Sequence, residues 1–249
     1  MPPILSTHNL VKKFDAVHAV DHLSLQFAAG QITSIIGPNG SGKSTLVNLL
    51  TGVLPLDGGE IVVLERTKLK KVEIAQVPSY GITRTFQDVR LFEQMSVLDN
   101  ILVVLTDRPV FSALFEKHNN LHLARAREVL EKVNLWSKHG ELAINLSYGQ
   151  RKLLEIARVL AMAQTFPIQI FLFDEPFAGL FPEMIKIVTN VLQDLKQQNK
   201  VVILIEHNME LIRQLSDRVI VLDSGQLLAE GEPSAVLAQR EVVEAYLGE

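Results

Sequence analysis

Residues 37–45 read Gly37-Pro38-Asn39-Gly40-Ser41-Gly42-Lys43-Ser44-Thr45, directly after the run Ile32-Thr33-Ser34-Ile35-Ile36. One glycine, four residues, then Gly42-Lys43-Ser44 is the spacing of a P-loop, in which a strand ends in a glycine-rich turn that opens a helix. Glycines take left-handed backbone angles at no steric cost. Successive N–H groups can then turn inward on one point, and the helix that follows adds the positive end of its dipole. The stretch therefore predicts a phosphate cradle over Gly37–Gly42, with Lys43 reaching the outer phosphates, Ser44 placed to ligate Mg²⁺, and Thr45 completing the motif. A Gly/Ser-rich surface turn is the competing reading, but such a turn requires neither the lysine nor the apolar strand before it.

The 249 residues suffice for one substantial core, and a 47% hydrophobic content is that of a globular chain. Charges interrupt every apolar stretch, including Asp99, Asp107 and Arg108 between positions 97 and 115, so no membrane span is expected. The start MPPILSTHNLVKKF lacks the basic-then-apolar order of a secretory signal, which points to a soluble cytoplasmic chain. A net charge of −4 offers no general attraction to nucleic acid, and the lack of cysteine excludes thiolate metal sites, disulfides and thiol catalysis. His118 and His122 have i, i+4 spacing but no accompanying zincin glutamate, and the polar stretch EKHNNLH reads as a solvated helix face.

Short apolar strands alternate with longer amphipathic segments, the pattern of a mostly parallel sheet with helices packed on it. Ile32–Ile36, Ile168–Phe173 and Val201–Ile205 are runs expected for strands buried on both faces. Leu23, Leu25 and Phe27 alternate with polar residues as in a half-buried strand, and VIVLDSGQLLAEG reads as a hairpin turning at Asp223-Ser224-Gly225. Between Gln87 and Leu146 helical patterns replace strands; Ala126, Val129, Leu130 and Val133 form an apolar stripe. No repeat, low-complexity segment or Pro/Gly/Ser-rich linker divides the chain.

A P-loop enzyme needs a carboxylate for Mg²⁺ at the end of a second buried strand, and Asp174 in FLFDEP fills that place. Glu175, next to it but projecting elsewhere, is suited to orient and deprotonate an attacking water. Farther upstream, Leu146-Ser147-Tyr148-Gly149-Gln150 opens an amphipathic helix whose apolar face holds Leu153, Ile156, Ala157 and Leu160, with Ser147 as its N-cap.

GPNGSGKST, LSYGQ and FLFDEP, in this order, resemble the ATP-binding cassette superfamily over almost the whole chain. The resemblance implies an α/β fold: a P-loop NTPase (RecA-like) core with an N-terminal antiparallel β subdomain and an inserted α-helical subdomain. A single cassette would span residues 1–249, with the helical subdomain at about 88–163 and a C-terminal helical tail at about 230–249. ATP and Mg²⁺ are the implied cofactors. Phe14 matches the aromatic that stacks on adenine, although a lone Phe also suits a core. Gln87 in RTFQ matches the glutamine that touches Mg²⁺ and the attacking water, and His207 after VVILIE matches the histidine that contacts the γ-phosphate. Ser147, Gly149 and Gln150 would serve a nucleotide held by another copy, which implies a head-to-tail dimer of cassettes. Lys43, Gln87, Glu175 and His207 are then the catalytic set, and Ser44, Gln87 and Asp174 the Mg²⁺ ligands. Tyr148 replaces the usual middle glycine of the signature, and Phe181 stands where many cassettes have an aspartate.

RTFQDVRLFEQMSVLDNILV, LSYGQ, DEPFAGLFPEM and the ending VVEAYLGE look like the ATP-binding subunit of branched-chain amino acid importers and their urea and amide relatives. Permease subunits, a second cassette and, indirectly, a substrate-binding protein are the implied partners, at the inner face of the cell membrane, with no nucleic acid among them. The apolar residues Val89, Leu91, Phe92 and Met95 just after Gln87 would line the groove that receives a permease helix. A lipopolysaccharide-export cassette shares much of this pattern. Soluble cassette ATPases of translation or repair usually carry two cassettes or a coiled-coil insert, and a non-hydrolysing module would not need Glu175 and His207.

Overall fold

The computed structural model describes residues 3–64, 67–106 and 120–247; Asp107, Arg108, His118 and the final Gly-Glu of VVEAYLGE lie outside them. In chain order the strands are β1 Leu5–Phe14, β2 Val17–Phe27, β3 Gln31–Ile36, β4 Gly58–Val63, β5 Thr67–Leu69, β6 Ile82–Arg84, β7 Ile170–Asp174, β8 Val201–Ile205, β9 Arg218–Asp223 and β10 Gln226–Gly231. The first sheet is antiparallel, in the order β2-β1-β4-β5. The second has the order β10-β9-β3-β8-β7-β6, parallel from β6 to β9, with β10 folded back on β9.

Every residue of β7 and β8 is buried, and their alternate side chains enter different cores. Phe171, Phe173, Val202 and Leu204 pack toward the helices on one face, whereas Ile170, Leu172, Ile203 and Ile205 face the antiparallel sheet and the P-loop helix. Burial on both faces is why these strands read as continuous apolar runs rather than as alternation. The apolar run at 168–173 and the strand are offset: β7 begins at Ile170 and extends to Asp174, because Gln169 and Ile170 both donate to Gly81 O before regular pairing starts. β4 and the three-residue edge strands β5 and β6, none with a strong sequence signal, complete the two sheets. The β9–β10 hairpin turns tightly through Ser224 (φ 48°) and Gly225 (φ 80°), the positive angles that a two-residue hairpin turn requires.

Three helices, Val97–Leu105, Asn120–Lys132 and Tyr148–Thr165, pack on one another beside the parallel sheet. Ala126, Val129, Leu130 and Val133 are all at most 1% exposed, so the stripe in ARAREVLEKV is the seam of that packing. The long helix Pro182–Gln197 covers the same face of the sheet with Val188, Val191, Leu192 and Leu195. Helices Pro233–Leu237 and Arg240–Leu247 close the chain. Among the described residues no helix is long and apolar enough to cross a membrane.

Candidate functional site

β3 ends at Ile36 and the helix Lys43–Leu50 begins after the intervening loop, so the loop sits at the carboxyl edge of the parallel sheet. Gly42 is the helix N-cap at φ 99°, ψ 0°, a left-handed angle. A Cβ on it would lie 2.3 Å from Ala19 O, and a Cβ on Gly37 (φ 150°) would lie 2.1 Å from Leu222 O. Gly40 (φ 77°) differs, because a Cβ there would meet nothing within 4 Å. The first two glycines let the loop sink against the hairpins behind it; the third serves the exposed side. Lys43 is buried, its Nζ donating to Gly37 O (2.7 Å) and Pro38 O (2.8 Å), so the ammonium already lies inside the ring of the loop. Pro38 and Ser41 are buried, Thr45 is half-buried, and Asn39 and Ser44 stand exposed.

Asp174 ends β7 on the same edge, level with Ile205 at the end of β8. Its carboxylate is buried and accepts from Arg84 Nη2 at 3.2 Å. Burial raises the Asp174 pKa, and the Arg84 charge pulls it back down. Glu175 adopts φ 48°, which turns its side chain away from the strand; its Oε1 meets His207 Nε2 at 3.0 Å. Lys152 Nζ donates to Glu175 O at 2.6 Å, fixing the residue from the helix Tyr148–Thr165. His207 follows β8, and its backbone N–H donates to Glu206 Oε2 at 2.7 Å.

Ser147 caps its helix as expected: it accepts from Gln150 N, while Gln150 Oε1 accepts from Ser147 N at 3.0 Å, a reciprocal capping box. Gly149 has a packing role that the motif does not reveal, since a Cβ there would lie 2.5 Å from Met184 Sδ. Tyr148 is exposed, its ring over Gly179, and Phe181 is 69% exposed at the start of the helix Pro182–Gln197. Gln87 is exposed, Phe14 is 45% exposed at the tip of β1, and the Phe14 ring is therefore no part of the core.

Sequence reasoning missed three polar side chains that are buried or half-buried. Arg84 holds Asp174; Glu155 Oε1 accepts from Phe86 N at 3.0 Å; Arg158 donates to Arg90 O. Glu155 and Arg158 thus grip the segment on both sides of Gln87. Burial pushes the Glu155 carboxyl up to about 7, although the Phe86 N–H and Arg158 oppose the rise. The one signal in the sequence is the i+3 spacing of Lys152, Glu155 and Arg158 off the apolar stripe of their helix; Arg84 carries none.

Among the described residues no three His, Cys, Asp or Glu side chains converge as a preformed metal cage. The donors that fit a divalent ion here are one buried carboxylate, Asp174, and one hydroxyl, Ser44, a set suited to an ion that takes its remaining ligands from water and phosphate. A backbone anion cradle, a lysine within it and two carboxylates on one sheet edge define a P-loop nucleotide-binding protein built for phosphoryl chemistry. The comparisons sharpen that class: the family profile described as ABC transporter matches residues 20–178, and the chain belongs to that family. It is 38% identical to the high-affinity branched-chain amino acid transport ATP-binding protein LivG of Salmonella typhimurium, over 99% of this chain and 98% of that one. Against BraF of Pseudomonas aeruginosa, described in the same words, identity is 35% over the same shares. The crystal structure of a nucleotide-free ATP-binding cassette from an ABC transporter superposes with a TM-score of 0.86 at 35% identity, covering 99% of this chain and 100% of that one. The crystal structure of the ADP conformation of an ATP-binding cassette of an ABC transporter matches with the same TM-score and identity. As a member of this family the chain is an ATPase subunit.

Proposed function

We propose that the chain binds and hydrolyses ATP to drive an importer of branched-chain amino acids or related small polar solutes, acting as a peripheral subunit on the cytoplasmic face of the membrane. The observation that carries the hydrolytic part is the Glu175–His207 pair standing with Asp174 on the sheet edge that also holds the P-loop. The importer part rests on the near-complete coverage of LivG-type relatives. The amides of Gly37–Thr45 and Lys43 bind the phosphates, and Phe14 offers a ring to the base. Ser44, Asp174 and Gln87 would hold Mg²⁺, which neutralises phosphate charge when bound with the nucleotide. Glu175 takes the proton of the attacking water, and His207 leaves Glu175 to meet the γ-phosphate. The helix start Ser147–Gln150, exposed at Ser147 and Tyr148, reaches the nucleotide of a second cassette in a head-to-tail dimer.

In this reading residues 1–249 form one cassette, the helical subdomain at about 88–163 passes motion to the permease, and a helical tail runs over about 230–249. Leu91 packs against the helical core, whereas Phe92 is 39% exposed with the Arg158 guanidinium 5.2 Å from its ring, so Phe92 is the accessible anchor for a permease helix. Affinity purification of the tagged chain with its membrane, followed by mass spectrometry, should recover permease subunits and a substrate-binding protein. Phe92→Ser should lose that co-purification while melting like the wild type, since one buried anchor can contribute about 2 kcal/mol or more. Recovery of no membrane protein with the wild type would refute the transport reading.

A further inference from the structure

Arg84 makes more contacts than a strand terminus requires. Its Nη2 donates to Asp174 Oδ2 at 3.2 Å, its Nη1 to Asn48 Oδ1 at 2.8 Å and Thr51 Oγ1 at 3.0 Å, and its Nε to Thr85 O at 3.1 Å. The Arg84 side chain is 8% exposed and that of Asp174 is 7% exposed. The two P-loop-helix partners are informative in their spacing. Ser44, Asn48 and Thr51 stand at i, i+4 and i+7, one stripe on the helix Lys43–Leu50 and its C-cap. Arg84 therefore grips the lower part of the stripe whose top is Ser44, and with the same planar fork grips the carboxylate that ends β7. The adjacent Thr85 Oγ1 accepts from Asp174 N at 3.1 Å, so main chain and side chain of Asp174 are both fixed from this two-residue run.

A buried ion pair contributes little net stability, because desolvation offsets the Coulomb attraction, so the contact is better explained by placement than by strength. Lysine could bond the carboxylate or the helix but has no rigid fork with which to span both. We propose that Arg84 is the positioning residue of the Mg²⁺ site: it sets the distance between the helix bearing Ser44 and the carboxylate of Asp174. This inference rests on the reading of Ser44 and Asp174 as Mg²⁺ ligands given above.

The test uses the full-length chain, Mn²⁺ as a paramagnetic probe titrated by electron paramagnetic resonance in saturating ADP, and nucleotide affinity measured separately in EDTA. Arg84→Met, which keeps the alkyl stem, should weaken Mn²⁺ binding about 10- to 100-fold, while metal-free nucleotide affinity stays within about threefold. Arg84→Lys should recover only part of the loss. If Arg84→Met fails to fold, Asn48→Ala combined with Thr51→Val severs the helix side of the bridge and leaves the Arg84–Asp174 pair intact; it should weaken Mn²⁺ binding about threefold or more in a folded protein. Unchanged Mn²⁺ affinity in a folded Arg84→Met or in the double variant overturns the inference, as does equal loss of nucleotide with and without metal. Asp174→Asn serves as the control: if it too leaves Mn²⁺ binding unchanged, the ligand assignment itself is wrong, whereas a loss there alone condemns only the role of Arg84.

Discussion

The P-loop and the carboxylate corner share one edge of the parallel sheet, yet they are made of different material. The P-loop is contiguous and built from backbone: three glycines at positive φ and a lysine whose partners are the loop's own carbonyls. The corner around Asp174 and Glu175 is assembled from side chains far apart in sequence, including Asn48, Arg84, Lys152 and His207. A backbone-built site tolerates change only where a side chain has room. A side-chain-built site loses one chemical step at a time.

The largest contrast is expected at Glu175. If it is the general base, Glu175→Gln lowers turnover by about 10²- to 10⁴-fold while ATP still binds; phosphate release and equilibrium binding measure the two separately, and near-normal turnover breaks the assignment. On the P-loop side, Gly42→Ala forces a Cβ to within 2.3 Å of Ala19 O at a left-handed angle, whereas Gly40→Ala meets open space. Denaturant unfolding without nucleotide should show a loss of about 2 kcal/mol or more for the first and about 1 kcal/mol for the second. Equal losses would mean that φ alone, not the close approach of the β1–β2 hairpin, dictates glycine here.

Burial holds Glu155 at about 7 against an ordinary 4.5, so between those values the folded chain keeps a proton that the unfolded chain releases. Stability of the wild type therefore falls as pH rises through that window and levels off above it. Glu155→Gln keeps an acceptor for Phe86 N but does not titrate, and should flatten the fall by on the order of 1–3 kcal/mol; parallel stability profiles of the two proteins would show that the carboxylate is solvated. The smallest effect is expected at Phe14. Stacking is worth about 1–3 kcal/mol, so Phe14→Ala should weaken ATP binding by about fivefold or more and Phe14→Tyr should not. Because Phe14 is 45% exposed, neither variant should shift the melting temperature without nucleotide.

What could be read in advance follows the same division. The cradle, β7, β8, the terminal hairpin and the cap at Ser147 each depend on a few neighbouring residues, so local chemistry announces them. Asp174 and Glu175 were legible because they end a buried apolar run next in logic to the P-loop. Arg84 and Glu155 were not, since their meaning comes from partners 90 and 69 positions away. Lys152 and Glu155 lie off the apolar stripe of Leu153, Ile156, Ala157 and Leu160, yet both are buried, so the period of apolar residues does not mark them. The strand β6 was hidden for a related reason: three residues, Ile82–Arg84, are too few to show a period.

The bracing of the P-loop has a consequence for how the chain comes into being. Gly225 N donates to Ser41 O at 3.1 Å and Gly225 O accepts from Asp21 N at 2.9 Å, while Leu222 O fills the space behind Gly37. Strand β3, which presents the loop, is flanked by β8 and β9 and by no earlier strand. On a ribosome that extends the chain from the N-terminus, β2 precedes the loop, but Leu222, Gly225, β8 and β9 are synthesised long after it. The antiparallel sheet can form early from β1, β2 and β4, but the cradle lacks part of its bracing until the terminal hairpin arrives. A chain cut short before Gly225 would carry the complete motif but lack the Gly225–Ser41 bond that braces its cradle.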